Sequence, residues 1–330
     1  MSEYKLKIND RNEEISLSSG KLISLLESRI PFGDDLYNQI KEGSSYFIDC
    51  EGKLLPSEIG FLDIESLLFP NLSVRENLSF SLKKQIKKEK ELSKRIEEVA
   101  LEFALRGKLD SKVKDLSMKE KGLLLILKME LMDKKIFISK NILTSFYSEI
   151  DFDKALIEYI RNNDVLLLNI TSSIAEGLTI SDLIGVNLYD DFELREPLKL
   201  LLSPRKEKSA IALYKGMINV IPFSKEEDSI VILGTAIKLS SKEDGDVLIR
   251  YDKASLSSQG EFEGVVLMQE EDGLTHIEIS KQEVSFYFSE PLETEKRVSF
   301  DIDFEDAIFF SKKKERISVN IVSEERNAIS

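Results

Sequence analysis

Four short apolar runs constrain this chain most: LISLL at 22–26, SYFID at 45–49, KIFIS at 135–139 and VLLLNI at 165–170. Each is short and bounded by polar residues, which is how strands buried on both faces read. Helical periods lie between them. Leu92, Ile96, Val99 and Phe103 follow one another at three- and four-residue steps and so share one helical face. The opposite face of that segment is Lys and Glu, the composition of a solvated surface. The segment LSMKEKGLLLILKMELM, 116–132, reads as a second helix. Ser117 is a good N-cap there, and Glu120 stands at the capping-box position three residues on. Strands alternating with helices predict an α/β layer architecture.

The pattern changes after Ser203-Pro204. Runs rich in Val, Ile and Phe follow: MINVIPF, SIVILG, DVLIRY, FEGVVLMQ, LTHIEIS, EVSFYFS and RVSFDIDF. Gly, Asp, Ser and Glu clusters separate them, which predicts a small all-β barrel. The polar, Pro-containing stretch at 202–210 has linker composition. We therefore expect two domains, 1–204 and 205–330.

Composition narrows the function. The formal net charge is -14, which argues against nucleic acid as a partner, because phosphate contacts need clustered Lys and Arg. A single cysteine, Cys50, allows no internal disulfide and no cysteine metal site; at a strand end it reads as a small buried residue. A single histidine, His276, removes most His-dependent catalysis and metal binding; in an alternating strand it reads as solvent-facing or at a barrel edge. The first residues lack an apolar signal core and no stretch approaches a spanning helix, so a cytoplasmic protein is expected. The Lys-rich run at 83–95 is followed by Glu97, Glu98 and Glu102, which favours a solvated helix face over a lipid-binding one.

The string LLFPNLSVRENLSFSLK, 67–83, resembles the segment after the Q-loop of ATP-binding-cassette transporter ATPases, which in importers reads like ALFPHLTVRENIAFGLK. The resemblance continues in order along the chain. GKLISLL looks like the strand entering the Walker A loop, and GSSYFIDCEGKLL like the strand pair after the first helix. KVKDLSMKEKGLLLILKMEL occupies the place of the signature helix, KKIFISKNIL that of Walker B, and DVLLLNITSSIAEGLTISDLIGV that of the switch region. The last third resembles the C-terminal TOBE domain of sugar, polyamine and iron importer ATPases. The resemblance implies an α/β P-loop NTPase-like domain with a helical subdomain, followed by a TOBE/OB-like barrel.

It also implies where chemistry should sit, and there this sequence departs from the family. A phosphate loop needs glycines, a Lys for the β/γ-phosphates and a Ser/Thr for Mg²⁺. The matching residues, 27–40, keep only Gly33 as a glycine, and the Lys position falls on Gly33 or Asp34. Pro31 removes an N–H donor, and Glu27, Asp34 and Asp35 place negative charge where a triphosphate would lie. The Walker B carboxylates fall on Ser139 and Lys140, the Q-loop glutamine on Ile64 and the switch histidine on Ser172. The D-loop place, 143–146, does not read SNLD. In the signature, Met118 and Lys119 replace the glycines; Ser117 and Lys119 keep a hydroxyl and a charge, for which helix capping is the plainer role. Each lost group supplies positioning or charge stabilisation for phosphoryl transfer. The resemblance therefore implies a pseudo-ATPase with no catalytic residues, no metal site and no required cofactor. ATP with Mg²⁺ would bind only weakly, or at a site completed by another subunit.

In the family the segment around residues 68–82 forms a groove for the permease. The implied docking residues are Leu68, Phe69, Pro70, Leu72, Val74, Glu76 and Asn77. The expected partners are transmembrane permease subunits, with an intact ATPase as heterodimer partner or a second copy as homodimer. The expected place is the inner face of the cell membrane. The alternative is a stand-alone sensor that binds small molecules through its TOBE-like domain. A third reading, residual turnover through Lys119 or Lys140, ranks last.

Overall fold

The computed structural model describes residues 2–8, 14–27, 36–62, 67–83, 86–142, 150–187, 192–214 and 217–321. The chain divides into two compact units, Met1–Leu198 and Lys199–Ser330, a division that falls inside a short helix rather than in the polar stretch at 202–210.

The first unit opens with a hairpin of β1 (Glu3–Lys7) and β2 (Glu14–Ser18), followed by β3 (Lys21–Glu27) and α1 (Leu36–Glu42). Next come β4 (Tyr46–Ile48) and β5 (Ile59–Leu62). Three helices follow: α2 (Val74–Leu82), α3 (Glu89–Glu102) and α4 (Met118–Met132). The unit closes with β6 (Ile136–Lys140), α5 (Ile150–Asn162), β7 (Leu166–Thr171), α6 (Ile174–Ile180), β8 (Leu183–Asn187) and β9 (Phe192–Arg195).

Six of these strands form one sheet in the order β5-β6-β7-β3-β8-β9. All pairs are parallel except β8 with β9. Alternation assigns each side chain to a face. Ile23, Leu25, Ile136, Ile138, Leu166 and Leu168 join a core with Leu6, Leu17 and Phe47 of a small antiparallel sheet, β2-β1-β4, and with Leu36 and Ile40 of α1. Leu22, Phe137 and Leu167 point the other way, onto Leu125, Ile126 and Met129 of α4 and Phe152, Leu156 and Ile160 of α5. Both faces are covered, which is why these strands read as unbroken apolar runs.

One expected strand sits elsewhere. The run at 45–49 does not join the parallel sheet. Its β4 pairs antiparallel with β1, Leu6 opposite Phe47, and only Phe47 among its three residues is fully buried. Cys50, expected as a buried residue, is exposed beyond the end of that strand.

Helices α2, α3 and α4 build a third core from Val74, Leu78, Leu82, Leu92, Ile96, Val99, Leu124, Leu127 and Leu131. Helix α4 thus packs on two sides, which explains why it is apolar around most of its circumference.

The second unit contains α7 (Pro197–Leu202, which straddles the division), α8 (Glu207–Tyr214) and twelve strands. Two antiparallel sheets contain ten of these strands. The first joins β10 (Ile218–Lys225), β11 (Ile230–Ile232), β12 (Thr235–Ile237), β14 (Gly245–Arg250) and β20 (Ile308–Ser311). The second joins β15 (Ala254–Leu256), β16 (Phe262–Gln269), β17 (Leu274–Ile279), β18 (Gln282–Tyr287) and β19 (Arg297–Ile302). A short pair, β13 (Leu239–Ser240) with β21 (Asn320–Ile321), completes the unit. Both sheets contribute to one core that includes Ile221, Phe223, Val247, Phe262, Ile277, Phe286 and Phe300. The ladders thus make the antiparallel all-β unit that the sequence predicts, as two sheets sharing one core. Helix α8 adds Ala210 to a smaller cluster with Ile218, Leu248, Ile308 and Phe310.

Candidate functional site

The topology of the parallel sheet points to one rim. After β3 the chain crosses to β5 at the far edge, whereas after β7 it passes to β8 on the opposite side of β3. Connections that leave neighbouring strands in opposite directions open a crevice at the strands' carboxyl ends, where α/β sheets bind ligands. Gly33 and Asp34, which follow β3 in the sequence, lie outside the described residues, as do Ile64 and 143–146.

At the described part of this rim the polar groups bond to one another. Ser139, at the end of β6, where the sequence resemblance expected the Walker B strand to end, is fully buried. Its hydroxyl donates to Asn169 Oδ1 of β7 at 2.8 Å, and the Ile142 N–H donates to the same oxygen at 3.2 Å. The Asn169 amide donates to Glu176 Oε1 at 2.9 Å, and the Thr171 hydroxyl to Glu176 Oε2 at 3.0 Å. Glu176, from α6, is 6% exposed, and its buried carboxyl oxygens accept from these side-chain donors. Burial raises the Asp153 carboxyl on α5, and the nearby Glu176 charge raises it further. Ser172, which the sequence resemblance set at the switch-histidine position, is exposed, and its N–H donates to Asn141 Oδ1 at 3.2 Å. Lys140 is exposed at the end of β6.

The sequence reading missed Asn169, Thr171 and Glu176. Two polar residues inside the apolar run of β7 were the available signal, because a polar side chain in a doubly covered strand needs a partner. Chemically, the network joins the ends of β6 and β7 to the start of α6. The end of β6 thus presents a neutral hydroxyl, and it is turned into the protein. Among the described residues no group of His, Cys, Asp and Glu could hold a metal ion.

The residues that the sequence resemblance matched to the signature form a helix start. The Ser117 hydroxyl accepts from the Glu120 N–H at 3.2 Å, and the Glu120 carboxylate accepts from the Ser117 N–H at 2.8 Å. That N–H is the main cause holding the Glu120 carboxyl below its usual range, with Lys108 adding to it at 3.0 Å. Lys119 is exposed on the first turn.

The segment at 67–83 requires a correction. Leu68, Val74 and Asn77 were expected on a docking surface, yet they are 5%, 0% and 0% exposed. Leu68 and Val74 belong to the helical core. Asn77 holds the preceding turn together. Its Oδ1 accepts from Phe69 N–H at 2.9 Å, and its amide donates to the carbonyls of Phe69 at 3.1 Å and Ser73 at 3.0 Å. Ser73 caps α2, and Glu76 completes the capping box. The turn is also tied to residues 109–114 through the Lys114 N–H to Pro70 and the Val113 N–H to Leu72. Leu72 is half-buried, and Phe69, Pro70 and Glu76 are exposed. The Phe69 ring meets exposed Phe80 at 5.5 Å between centroids.

In the second unit, His276 is half-buried rather than solvent-facing. Nδ1 lies 3.2 Å from Glu283 and 3.1 Å from the Ser285 hydroxyl, and Nε2 lies 3.1 Å from Glu270. This arrangement has the members of a nucleophilic triad. Glu283 competes with Ser285 for the same ring nitrogen, however, so a base lone pair is not held on the hydroxyl. The unit also has an open cavity of about 750 Å³, with Leu239, Phe304, Phe309, Arg316 and Ile317 in its lining.

Against this geometry stand the comparisons with known proteins. No family profile matches the chain, and no curated protein does. Among solved structures the chain is similar to cbiO1 from Clostridium perfringens, described as part of the ABC transporter complex cbiONQ. The identity is 16%, the TM-score 0.49, and the match covers 64% of this chain and 94% of that one. A likeness of that degree assigns neither an activity nor a partner to this chain.

No helix among the described residues is long and apolar enough to cross a membrane.

Proposed function

We propose that the chain is a catalytically degenerate ATP-binding-cassette subunit of a membrane importer, which docks on a permease and pairs with an intact ATPase. The ordered run of family-like segments supplies the class, and the parallel sheet with its switch point is the scaffold that class requires. The observation that carries the degenerate half is Ser139. Phosphoryl transfer at such a rim needs carboxylates at the end of this strand, to hold Mg²⁺ and to orient water. Here the strand ends in a buried serine bonded to Asn169 and then an exposed lysine. Neither supplies negative charge to a metal.

The test is recovery from native membranes in mild detergent through a C-terminal tag, followed by calorimetric titration of the purified chain with Mg-ATP. A permease, with or without an intact ATPase, should co-purify, and the isolated chain should show no turnover. Hydrolysis by the isolated chain that Lys140→Ala abolishes would sink the degenerate reading.

The cavity in the second unit favours a second reading, a sensor acting through that unit. Thermal-shift measurements with oxyanions and sugars test it, since a ligand of the native state raises stability. Recovery of the chain alone from the soluble fraction, together with such stabilisation, would put the sensor first.

A further inference from the structure

The outer face of the sheet β15–β19 carries apolar side chains that a regular ladder would have turned inward. In β16, Phe262 and Val266 join the core, so Glu263 and Val265 point out. Alternation would then place Leu267 outside and Met268 inside. The register with β17 shifts between Val266 and Met268 instead, a bulge that adds one residue to β16. Met268 now stands opposite the outward-facing His276, and Leu267 and Met268 are 39% and 48% exposed. On the same face the half-buried Leu274 and Tyr287 stand opposite each other.

The charge around these side chains has one sign. Residues 261–295, which contain β16, β17 and β18, hold ten Asp and Glu against one Lys, a net charge of -9 within a chain whose total is -14. Glu278 of β17 stands directly opposite Glu283 of β18, and both are exposed. Like charges in that position repel and weaken a sheet. Their row continues through Val265 to Arg297 of β19, so an apolar side chain separates the row's cation from the acidic pair. Glu283 and Glu270 flank the His276 ring at 3.2 and 3.1 Å, whereas Glu263 and Glu278 form no ion pair among the described residues. Side chains directly opposite one another lie about 5 Å apart, so one ammonium or guanidinium reaches both carboxylates of such a pair. The acids repel nucleic acid and anionic lipid, while exposed Leu and Met side chains gain from being covered. An apolar centre within a charged rim is the anatomy of a protein interface.

We propose that this face of β16–β18 docks a basic segment of another protein, with Leu267 and Met268 as the apolar anchors and the Glu278–Glu283 pair receiving a Lys or Arg. None of these residues belongs to the unit on which the importer reading rests.

The experiment places photoreactive benzoylphenylalanine at position 267 of the full chain in its native cells and sequences the cross-linked peptide. That peptide is then synthesised with a fluorophore and titrated with the purified full chain at low and high salt. A peptide with Lys or Arg on either side of the attachment point is expected. Glu278→Gln with Glu283→Gln should weaken its binding about tenfold and flatten the salt dependence, because the lost term is a screened charge interaction. The same double variant should unfold at no lower temperature than the unchanged chain, since it removes a repulsion. Met268→Ser should weaken binding and keep the salt dependence, and Glu226→Gln with Glu227→Gln, on the other sheet, should change neither. A cross-linked peptide without cations, equal binding by the Glu278→Gln, Glu283→Gln chain, or no cross-link at all overturns the proposal. A cross-link to residues 83–95 of this chain makes the occupant a second copy and overturns the assignment to another protein.

Discussion

Replacing Asn77 by alanine deletes one side chain that serves three backbone groups of the preceding turn. The groups left behind are at least partly buried, so the cost exceeds that of an average hydrogen bond. Asn77→Ala should destabilise the first unit by about 2–4 kcal/mol, read as a shift in denaturant midpoint. Lys128, in α4 and 3% exposed, makes the opposite prediction. Its ammonium titrates at about 8 in the folded chain, against about 10.5 for an unperturbed lysine. Between those values the unfolded chain binds more protons, so stability rises with pH across that window. The penalty is fully present below pH 8. Lys128→Met should therefore stabilise the chain by about 1–3 kcal/mol at pH 7, with the gain shrinking as pH rises from about 8 toward 10.5. Urea unfolding at pH 7 and pH 10 checks both the sign and the slope. Both predictions concern residues whose importance depends on burial, and sequence spacing alone gave no measure of it.

At the scale of elements, capping was legible and packing was not. Ser117 and Glu120 read as a capping box from spacing alone, and the structure has both hydrogen bonds. Ser117→Ala should cost about 1 kcal/mol, the ordinary value of an N-cap hydroxyl. The contact between α4 and α5 depends instead on Gly122. A Cβ built there lies 2.5 Å from the Phe152 ring. Alanine gains about 1 kcal/mol of helix propensity over glycine, but overpacking at such a contact costs about 1–3 kcal/mol. Gly122→Ala should therefore destabilise, and Gly122→Ala with Phe152→Leu should recover part of the loss, as double-mutant unfolding would show. Strand β4 makes the same point for sheets. Its apolar run looked like the other three, and only pairing with β1 placed it in a different sheet.

Across the whole molecule, each unit has its own hydrophobic core. A fragment spanning 199–330 should fold alone, with an antiparallel-β circular dichroism spectrum and one cooperative unfolding transition. A fragment beginning at 205 lacks all of α7, including the buried Leu200; it should be the less stable of the two. An unstructured or aggregated 199–330 fragment would show that the second core is incomplete without the first unit.

What the sequence alone determined follows from local periodicity. Runs of alternating faces, helical stripes and caps are set by neighbours a few residues away, and they placed β3, β6 and β7 of the parallel sheet, α3, α4 and the β-rich unit. That β6 ends in Ser139 and Lys140 rather than in carboxylates was also legible, because it is a matter of residue identity. The tertiary structure decided the rest, because long-range contact was required. It placed Glu176 against Asn169 and Thr171, turned Ser139 inward, moved Leu68, Val74 and Asn77 from the expected surface into the interior, and buried Lys128. Burial of a polar group is set by chain segments tens of residues away, so its cost becomes visible only once those segments are folded together.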